Sequence, residues 1–522
     1  MTGEPPAPSP AGTARRQALC LFALVLCGLA VRLPQLDASF YGDEAFSLFR
    51  DSEQLLTSTE DRFRPIFFSL LYLWKQLGFH GEVGLRLLPL LFGVLQIPVA
   101  FLLGRSLAGK NAGFGLAALM AFNPLLIEFS QELRMYSLVP LLALLQALAL
   151  ATLEQRAAAS RPQLPAWLGF VAVGTLGVYT HFHYWFISAG FALALLRRRR
   201  TLSLRSSIAA VAALALLYLP NVPNLLRFQA EAASQAHLVV TDVAGAIPKL
   251  LAAFTLGFNY FSLPQMGIDR SLGASTLTAN AALSLIAMIP ALLVGWAIVR
   301  LHLKRQLGPV LWMAHELFTV PVLISLLALL VLGKNFIHPK YMVFSAPFLQ
   351  LFLLGGWLAL RAGWQRWLAL AGAGAVMVIA LAHFNQPRKY GRREDMRGLA
   401  AQLRPVMNQD AVIVWLGYSG APESMQRSLT PQSVWEYYAA DLFPYVRVVG
   451  LPHPDAKVSD VTPILARVTQ GKRDVYFVWS EIARNVYDPA DVILSALRQA
   501  YGAEQRTQLN PRLIVYRYRT VP

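Results

Sequence analysis

Three short stretches of the chain carry residue types suited to proton and phosphate chemistry. The first is Phe40-Tyr41-Gly42-Asp43-Glu44-Ala45, two adjacent carboxylic acids just beyond an apolar run. A carboxylate held in place there can take a proton from a hydroxyl group; the plain alternative is a hydrated turn. The second runs from Asn123-Pro124 through Glu128 to Ser130-Gln131-Glu132-Leu133-Arg134-Met135-Tyr136. It closes another apolar run, so Glu128, Glu132 and Arg134 fall at a membrane boundary, where charges are costly and tend to be paired or used. An ordinary interfacial salt bridge is the alternative. The third is Lys334-Asn335-Phe336-Ile337-His338-Pro339-Lys340-Tyr341. Its lysines and histidine suit a phosphate group; contact with an anionic lipid headgroup is the alternative.

Arg62 and Arg64 add two bases ahead of a short apolar segment. The turn Thr180-His181-Phe182-His183-Tyr184-Trp185 has an H-x-H spacing. Two histidines are too few for a metal site, and the turn reads as part of an interfacial aromatic belt. Taken together, the stretches supply a candidate base, several candidate phosphate binders and an aromatic rim. An enzyme acting on a membrane-embedded phosphate ester needs a base for the nucleophile, cations for the leaving phosphate and an apolar groove for the tail.

The elements that must position these residues are mostly membrane helices. Of 522 residues, 56% are hydrophobic and only 14% charged, against roughly 25% charged in soluble domains. The apolar residues cluster in runs close to the ~20 residues that a bilayer core requires. About eleven spans are expected, near 17–34, 83–104, 112–129, 137–155, 165–181, 183–196, 206–220, 276–299, 309–333, 341–360 and 366–384. The net charge of +17 does not point to nucleic acid, because the densest basic run, Arg197 to Arg200, directly follows an apolar stretch and reads as a membrane flank. One set of loops holds Arg15, Arg16, Arg105, Lys110, Arg156, Arg161, Arg197 to Arg200, Arg205, Arg300, Lys304, Arg305, Arg361 and Arg366. That side is predicted to be cytoplasmic, which leaves all three chemical stretches on the opposite face. Residues 65–79 are apolar but short for a span, and are expected to form an interfacial or re-entrant helix with Lys75 on its polar face.

Residues 1–16 read as a disordered cytoplasmic tail, residues 17–384 as the transmembrane domain, with 35–82 its first external loop, and residues 385–522 as a soluble extracytoplasmic α/β domain. In that last part, strand-like runs at 411–416, 474–479 and 512–518 alternate with helical patterns near 394–405, 431–440, 458–469 and 490–501. Cys20 and Cys27, the two cysteines, both lie in the first apolar run, so no disulfide framework is expected in the soluble domain. The lack of any Asn-x-Ser/Thr acceptor accords with a bacterial inner membrane, and multi-pass insertion there is the expected location.

At Tyr41-Gly42-Asp43-Glu44, Ser130-Gln131-Glu132-Leu133-Arg134-Met135-Tyr136 and Lys340-Tyr341, the sequence resembles the polytopic GT-C glycosyltransferases. The nearest subgroup is the bacterial family related to dolichyl-phosphate-mannose–protein mannosyltransferases, which includes the lipid A aminoarabinose transferases. Glu394-Asp395-Met396-Arg397-Gly398 is similar as well. The resemblance implies inverting transfer of a sugar from a polyprenyl-phosphate donor to a glycan, lipid or protein acceptor at the external face. Asp43 would match the family's general base, with Glu44 in support. Arg134 and Tyr136 would match residues around the active cavity, and Lys340 and Tyr341 those near the lipid phosphate. Arg62, Arg64, Glu132 and His338 complete the expected substrate-binding set. Lys and Arg can stabilise the phosphate leaving group, so no metal or cofactor is expected. Two departures stand out. Relatives often open the short helix with His-Pro-Pro, where this chain has Arg64-Pro65-Ile66; and many carry Arg-Tyr where it has Lys340-Tyr341, which keeps the charge but gives up bidentate phosphate contact. The rival reading is a transporter or flippase for a lipid-linked or anionic solute. It predicts charges in the middle of spans and broken helices at matching positions of two halves, neither of which the sequence shows.

Overall fold

The computed structural model describes residues 10–40, 44–48, 64–233, 247, 250, 251, 253–255, 292–332, 337–361, 363–384, 394–416, 432–452, 455–480, 484, 488, 490–510 and 513–519. The chain divides into two compact units. The first comprises Met1–Leu36, Asp51–Ser262 and Asp269–Leu381; the second comprises Asp37–Arg50, Leu263–Ile268 and Ala382–Pro522.

The first unit is helical. Its helices run Pro10–Ala30, Pro65–Gln76, Gly81–Phe122, Pro124–Ser130, Leu138–Ala158, Leu164–Thr180, Tyr184–Arg197, Leu204–Tyr218, Val222–Ala233, Pro309–Ala314, Val320–Leu332, Ala346–Ala359 and Gly363–Phe384. Among the described residues, four continuous helical stretches are long and apolar enough to cross a membrane: Gly81–Phe122, Met135–Ala158, Leu204–Arg227 and Pro309–Val331. Gly81–Phe122 is broken at Ala108 and at Gly109, whose φ of 83° is a left-handed value that glycine adopts freely. The break falls where the sequence separates two spans. The first helix begins at Pro10, inside the stretch read from sequence as a tail; proline suits a first helical position, and Ala11, Ala14, Arg15 and Arg16 continue the helix easily.

Two expected spans end or start differently. The run 112–129 is interrupted at Asn123, whose ψ of 120° leaves the helical region ahead of Pro124. A new short helix then starts, with the Asn123 side chain accepting from the Leu126 amide at 3.1 Å. The run 341–360 is α-helical only from Ala346; a turn at 339–342 and a 3-10 turn, Val343–Ser345, precede it. The Pro65–Gln76 helix has 12 residues, or about 18 Å at 1.5 Å per residue, too short for a hydrocarbon core of about 30 Å. It buries Phe67, Phe68 and Leu71 and exposes Leu73.

A buried arginine ties the helices together. Arg32 is fully buried. Its guanidinium donates to the carbonyls of Gly28 at 2.7 Å, Ala121 at 2.6 Å and Met120 at 2.9 Å, and to the Ser130 hydroxyl at 3.2 Å. Gln131 Nε2 in turn donates to the carbonyls of Arg32 and Pro34, at 2.9 and 2.6 Å.

The second unit is an α/β domain, as the alternation of strands and helices predicts. Strands β1 (Ala411–Leu416), β2 (Val446–Val449), β3 (Asp474–Ser480), β4 (Gln505–Asn510) and β5 (Leu513–Arg519) form one sheet in the order β2-β1-β3-β5-β4. β1 pairs in parallel with β2 and β3; β5 runs antiparallel to β3 and β4. All six residues of β1 are buried, as a central parallel strand requires. Val412, Val414, Val475 and Phe477 pack with Val461, Leu465, Ile493 and Leu497 from the helices Val458–Thr469 and Val492–Tyr501. The stretch 37–48 belongs to this unit: Ser39 donates to the Glu394 carbonyl at 3.0 Å, Arg397 to the Asp37 carbonyl at 3.0 Å, and Phe40 meets Tyr437 edge-on at 5.3 Å.

Arg32→Met removes a donor set that satisfies four buried acceptors. The expected cost is at least ~3 kcal/mol, from buried carbonyls left without partners. It would be read as a lower thermal-aggregation midpoint of the full chain in detergent, with Arg32→Lys falling between the variant and wild type. In the second unit, hydrogen bonds from Arg498, with a further one from Tyr518 at 2.7 Å, hold the Glu504 carboxyl below the ordinary carboxylate range. Its folded value lies below its unfolded one, so its contribution is present above about pH 4.3 and is lost as the pH falls through the lower folded value. Melting curves of wild type and Glu504→Gln are expected to differ at pH 6 and to draw together as the pH falls below 4.

Candidate functional site

The turns that join the helices of the first unit bring together residues far apart in sequence. Gln131–Arg134 forms a tight turn in which the Arg134 amide donates to the Glu132 carbonyl at 2.6 Å. The 3-10 turn Met135–Ser137 then leads into the Leu138–Ala158 helix. Glu132 is fully buried, and Arg134 and Tyr136 are each 4% exposed. The Tyr136 ring is the hub. Arg134 lies 6.0 Å from its centroid and Lys340 Nζ 5.6 Å, both within cation–π range. Arg134 also lies 5.8 Å from the Phe68 ring of the short Pro65–Gln76 helix. Lys340 Nζ comes within 3.7 Å of Glu132 Oε1.

The 181–183 turn faces the same cluster. The His181 ring is 6.4 Å from Tyr136 and 6.4 Å from Tyr341; His183 stacks on Tyr341 at 4.9 Å. His338 lies 5.2 Å from Tyr341. Burial, and then the nearby Arg64 and Arg134, hold the His181 imidazole below its ordinary pKa; burial, and then His181, Arg64 and His338, do the same for His183. Arg64 is buried at the N-terminus of the Pro65–Gln76 helix. Among the described side chains of this cluster, three cations, Arg64, Arg134 and Lys340, stand with one carboxylate, Glu132, and three histidines. Such a set favours an anionic ligand with an apolar portion, the anion facing the cations and the rest facing Phe68, Tyr136 and Tyr341.

The sequence-predicted residues therefore divide. Arg64, Glu132, Arg134, Tyr136, His338, Lys340 and Tyr341 share one cluster, and Tyr341 remains 40% exposed. Glu44 is buried in the second unit, ahead of the short helix Ala45–Leu48. Asp43 and Arg62 lie outside the described residues. His181 and His183 were read from sequence as belt residues, and the structure adds them to the cluster. Their H-x-H spacing was the available signal; what the spacing cannot convey is that the turn meets Tyr341. Among the described residues no group of three or more His, Cys, Asp or Glu side chains converges as a metal-ligand set.

The helical unit and the α/β unit together have the polytopic GT-C fold. The chain is similar to the oligosaccharyltransferase of Archaeoglobus fulgidus tethered to an acceptor peptide containing the NVT sequon, at 14% identity and a TM-score of 0.51, over 96% of this chain and 74% of that one. The same enzyme in complex with zinc and sulfate gives 14% identity and a TM-score of 0.50, over 95% and 72%. ArnT from Cupriavidus metallidurans bound to undecaprenyl phosphate matches 98% of this chain and 98% of its own, at 13% identity and a TM-score of 0.43. The fold assignment rests on the two oligosaccharyltransferase structures. No family model matches the chain, and no curated protein sequence does.

The contact between Lys340 and the buried Glu132 is testable by a double-mutant cycle. Lys340→Gln removes a cation from a buried carboxylate and is expected to lower the thermal midpoint. Adding Glu132→Gln to it is expected to restore part of the loss, with a coupling of about 1–3 kcal/mol. Additive losses would show that the two side chains do not interact.

Proposed function

We propose that the chain is a membrane glycosyltransferase that moves a sugar from a polyprenyl-phosphate donor to an envelope acceptor. The observation that carries this reading is the pair of cations Arg134 and Lys340 on the Tyr136 ring, with Arg64 near His181 and His183, and His338 and Tyr341 completing the rim. A phosphate leaving group gains negative charge as the glycosidic C–O bond breaks. Fixed cations stabilise that charge more strongly in the transition state than in the ground state. Arg134 can offer two parallel N–H donors to phosphate oxygens, and Lys340 a point charge. The exposed aromatic edge at Tyr341 suits the first isoprene units of a lipid tail.

Asp43 serves in this reading as the general base. It takes the proton from an acceptor hydroxyl as that oxygen attacks the anomeric carbon from the side opposite the departing phosphate. One displacement of this kind inverts the anomeric configuration. Glu44, fully buried, has a supporting role beside Asp43 in this reading. The assignment of Asp43 rests on its sequence context and its resemblance, and the cation cluster on geometry, so the two are tested separately. The donor sugar is a hexose or a pentose, and the acceptor a glycan, a lipid or a protein. In this reading the transfer takes place on the extracytoplasmic side of a bacterial inner membrane, opposite the loops that hold the basic residues. The fold supports this reading, since it is shared with an enzyme named for the transfer of oligosaccharides.

The test is transfer of radiolabel from a panel of polyprenyl-phosphate sugars to a crude envelope acceptor by the full-length protein in lipid. Asp43→Asn is expected to lower the rate by about 100-fold or more with donor binding kept. Arg134→Lys is expected to weaken donor binding while keeping part of the rate. Wild type that binds and moves intact lipid-linked donor across vesicles without transferring sugar would instead support a flippase.

A further inference from the structure

The end of the helical unit that carries the arginine run holds a second, chemically different site. Residues of the Tyr184–Arg197 helix and of the segment from Pro309 to Val320 line an open cavity of about 600 Å³, within the roughly 300–1,000 Å³ of small-molecule sites. Its walls include Leu193, Leu196, Trp312 and Val320, and its rim Arg199 and Arg200. The helices approach closely here because residue 190 is glycine: a Cβ would stand 2.1 Å from the Glu316 carbonyl oxygen.

The charges at this site separate into a balanced pair set and a remainder. Arg198 Nη1 donates to Glu316 Oε2 at 2.8 Å, and its Nε lies 2.7 Å from Glu154. Arg197 pairs with the other Glu316 oxygen and lies 4.8 Å from the Trp312 ring. Two carboxylates thus match two guanidiniums. Arg199 and Arg200 form no ion pair among the described residues, and both are exposed. The wall below them is apolar yet open: Leu193 is 44%, Leu196 49% and Trp312 38% exposed. Trp312 also lies near the start of a stretch, Pro309–Val331, that is apolar and long enough to span a membrane, where an exposed apolar side chain would meet lipid.

We propose that this cavity binds an anionic phospholipid. Arg199 and Arg200 hold the phosphate, and an acyl chain lies against Leu193, Leu196, Trp312 and Val320. A basic rim over an apolar cleft between membrane helices is the arrangement that anionic headgroups recognise, and the paired Glu316 presents no free negative charge to repel one. The site lies on the basic end of the bundle, so it is separate from the Tyr136 cluster and does not depend on the proposed sugar transfer.

Native mass spectrometry of the full-length protein in neutral detergent tests the proposal, with phosphatidylglycerol, phosphatidylcholine or inorganic phosphate added. Phosphatidylglycerol is expected to remain bound at a discrete stoichiometry and phosphatidylcholine to be lost. R199Q/R200Q is expected to weaken phosphatidylglycerol retention about tenfold, whereas R199K/R200K retains it. Equal retention of phosphatidylcholine, or unchanged retention by R199Q/R200Q, would overturn the proposal in favour of annular contact. Inorganic phosphate that raises the melting midpoint as much as phosphatidylglycerol does would overturn the lipid assignment, leaving a free-phosphate site. If R199Q/R200Q does not fold, Leu196→Trp fills the apolar wall: loss of phosphatidylglycerol supports the site and retention overturns it.

Discussion

The geometry of the helical unit depends on one buried cation. A guanidinium inside an apolar bundle is costly unless its donors are met. Arg32 meets them with carbonyls at the end of the Gly81–Phe122 helix, a carbonyl of its own helix and the hydroxyl of Ser130. The last of these matters for the site, because Ser130 immediately precedes the Gln131–Tyr136 turn. Gln131 returns the contact by donating to the carbonyls of Arg32 and Pro34. Exit of the first helix and placement of Glu132, Arg134 and Tyr136 are thus one event. Gly93 makes room for it: a Cβ there would stand 1.9 Å from the Ser130 oxygen that Arg32 uses. Lysine, a compact point charge with three donors, could not span the same set of acceptors.

What the sequence conveyed follows the range over which each signal acts. Apolar runs and loop charges are local, so most helices were legible, including the separation of two spans at Gly109. Strands β1, β3 and β5 were legible because each is a long apolar or aromatic run. β2 is only Val446-Arg447-Val448-Val449, and β4, Gln505-Arg506-Thr507-Gln508-Leu509-Asn510, is a polar strand. Such edge strands owe their pairing to a neighbour, not to their own composition. The interruption at Asn123 was written in the Asn-Pro pair but masked by the apolar residues on both sides.

The cluster around Tyr136 was legible residue by residue and not as an assembly, while Asp43 and Arg62 lie outside the described residues. Glu132 and Arg134 stand out because charges at a membrane boundary are costly, and His338 and Lys340 because their residue types suit a phosphate. Nothing local in the H-x-H turn says that His183 stacks on Tyr341, a contact across more than 150 residues of chain. Arg32 went unmarked for a related reason. An arginine at the end of a first span looks like an anchor, and only tertiary packing turns it into a clamp.

The two charged ends of the bundle differ in a way that bears on their roles. At the arginine-run end, Glu154 and Glu316 are matched by Arg197 and Arg198, a pairing that fixes helices against each other. At the other end, the residues of the cluster sit on turns that each feed a helix. Tyr136 leads into Leu138–Ala158, His183 into Tyr184–Arg197 and Tyr341 into Ala346–Ala359. Helix N-termini carry partial positive charge and unused amide donors. Three of them start from the cluster where Arg64, Arg134 and Lys340 already outnumber Glu132. Side chains and backbone therefore set the same sign of potential at Tyr136. Because that potential is built from helix ends held by the packed bundle, the proposed phosphate ligand would meet it already formed and spend little of its binding energy on ordering the protein.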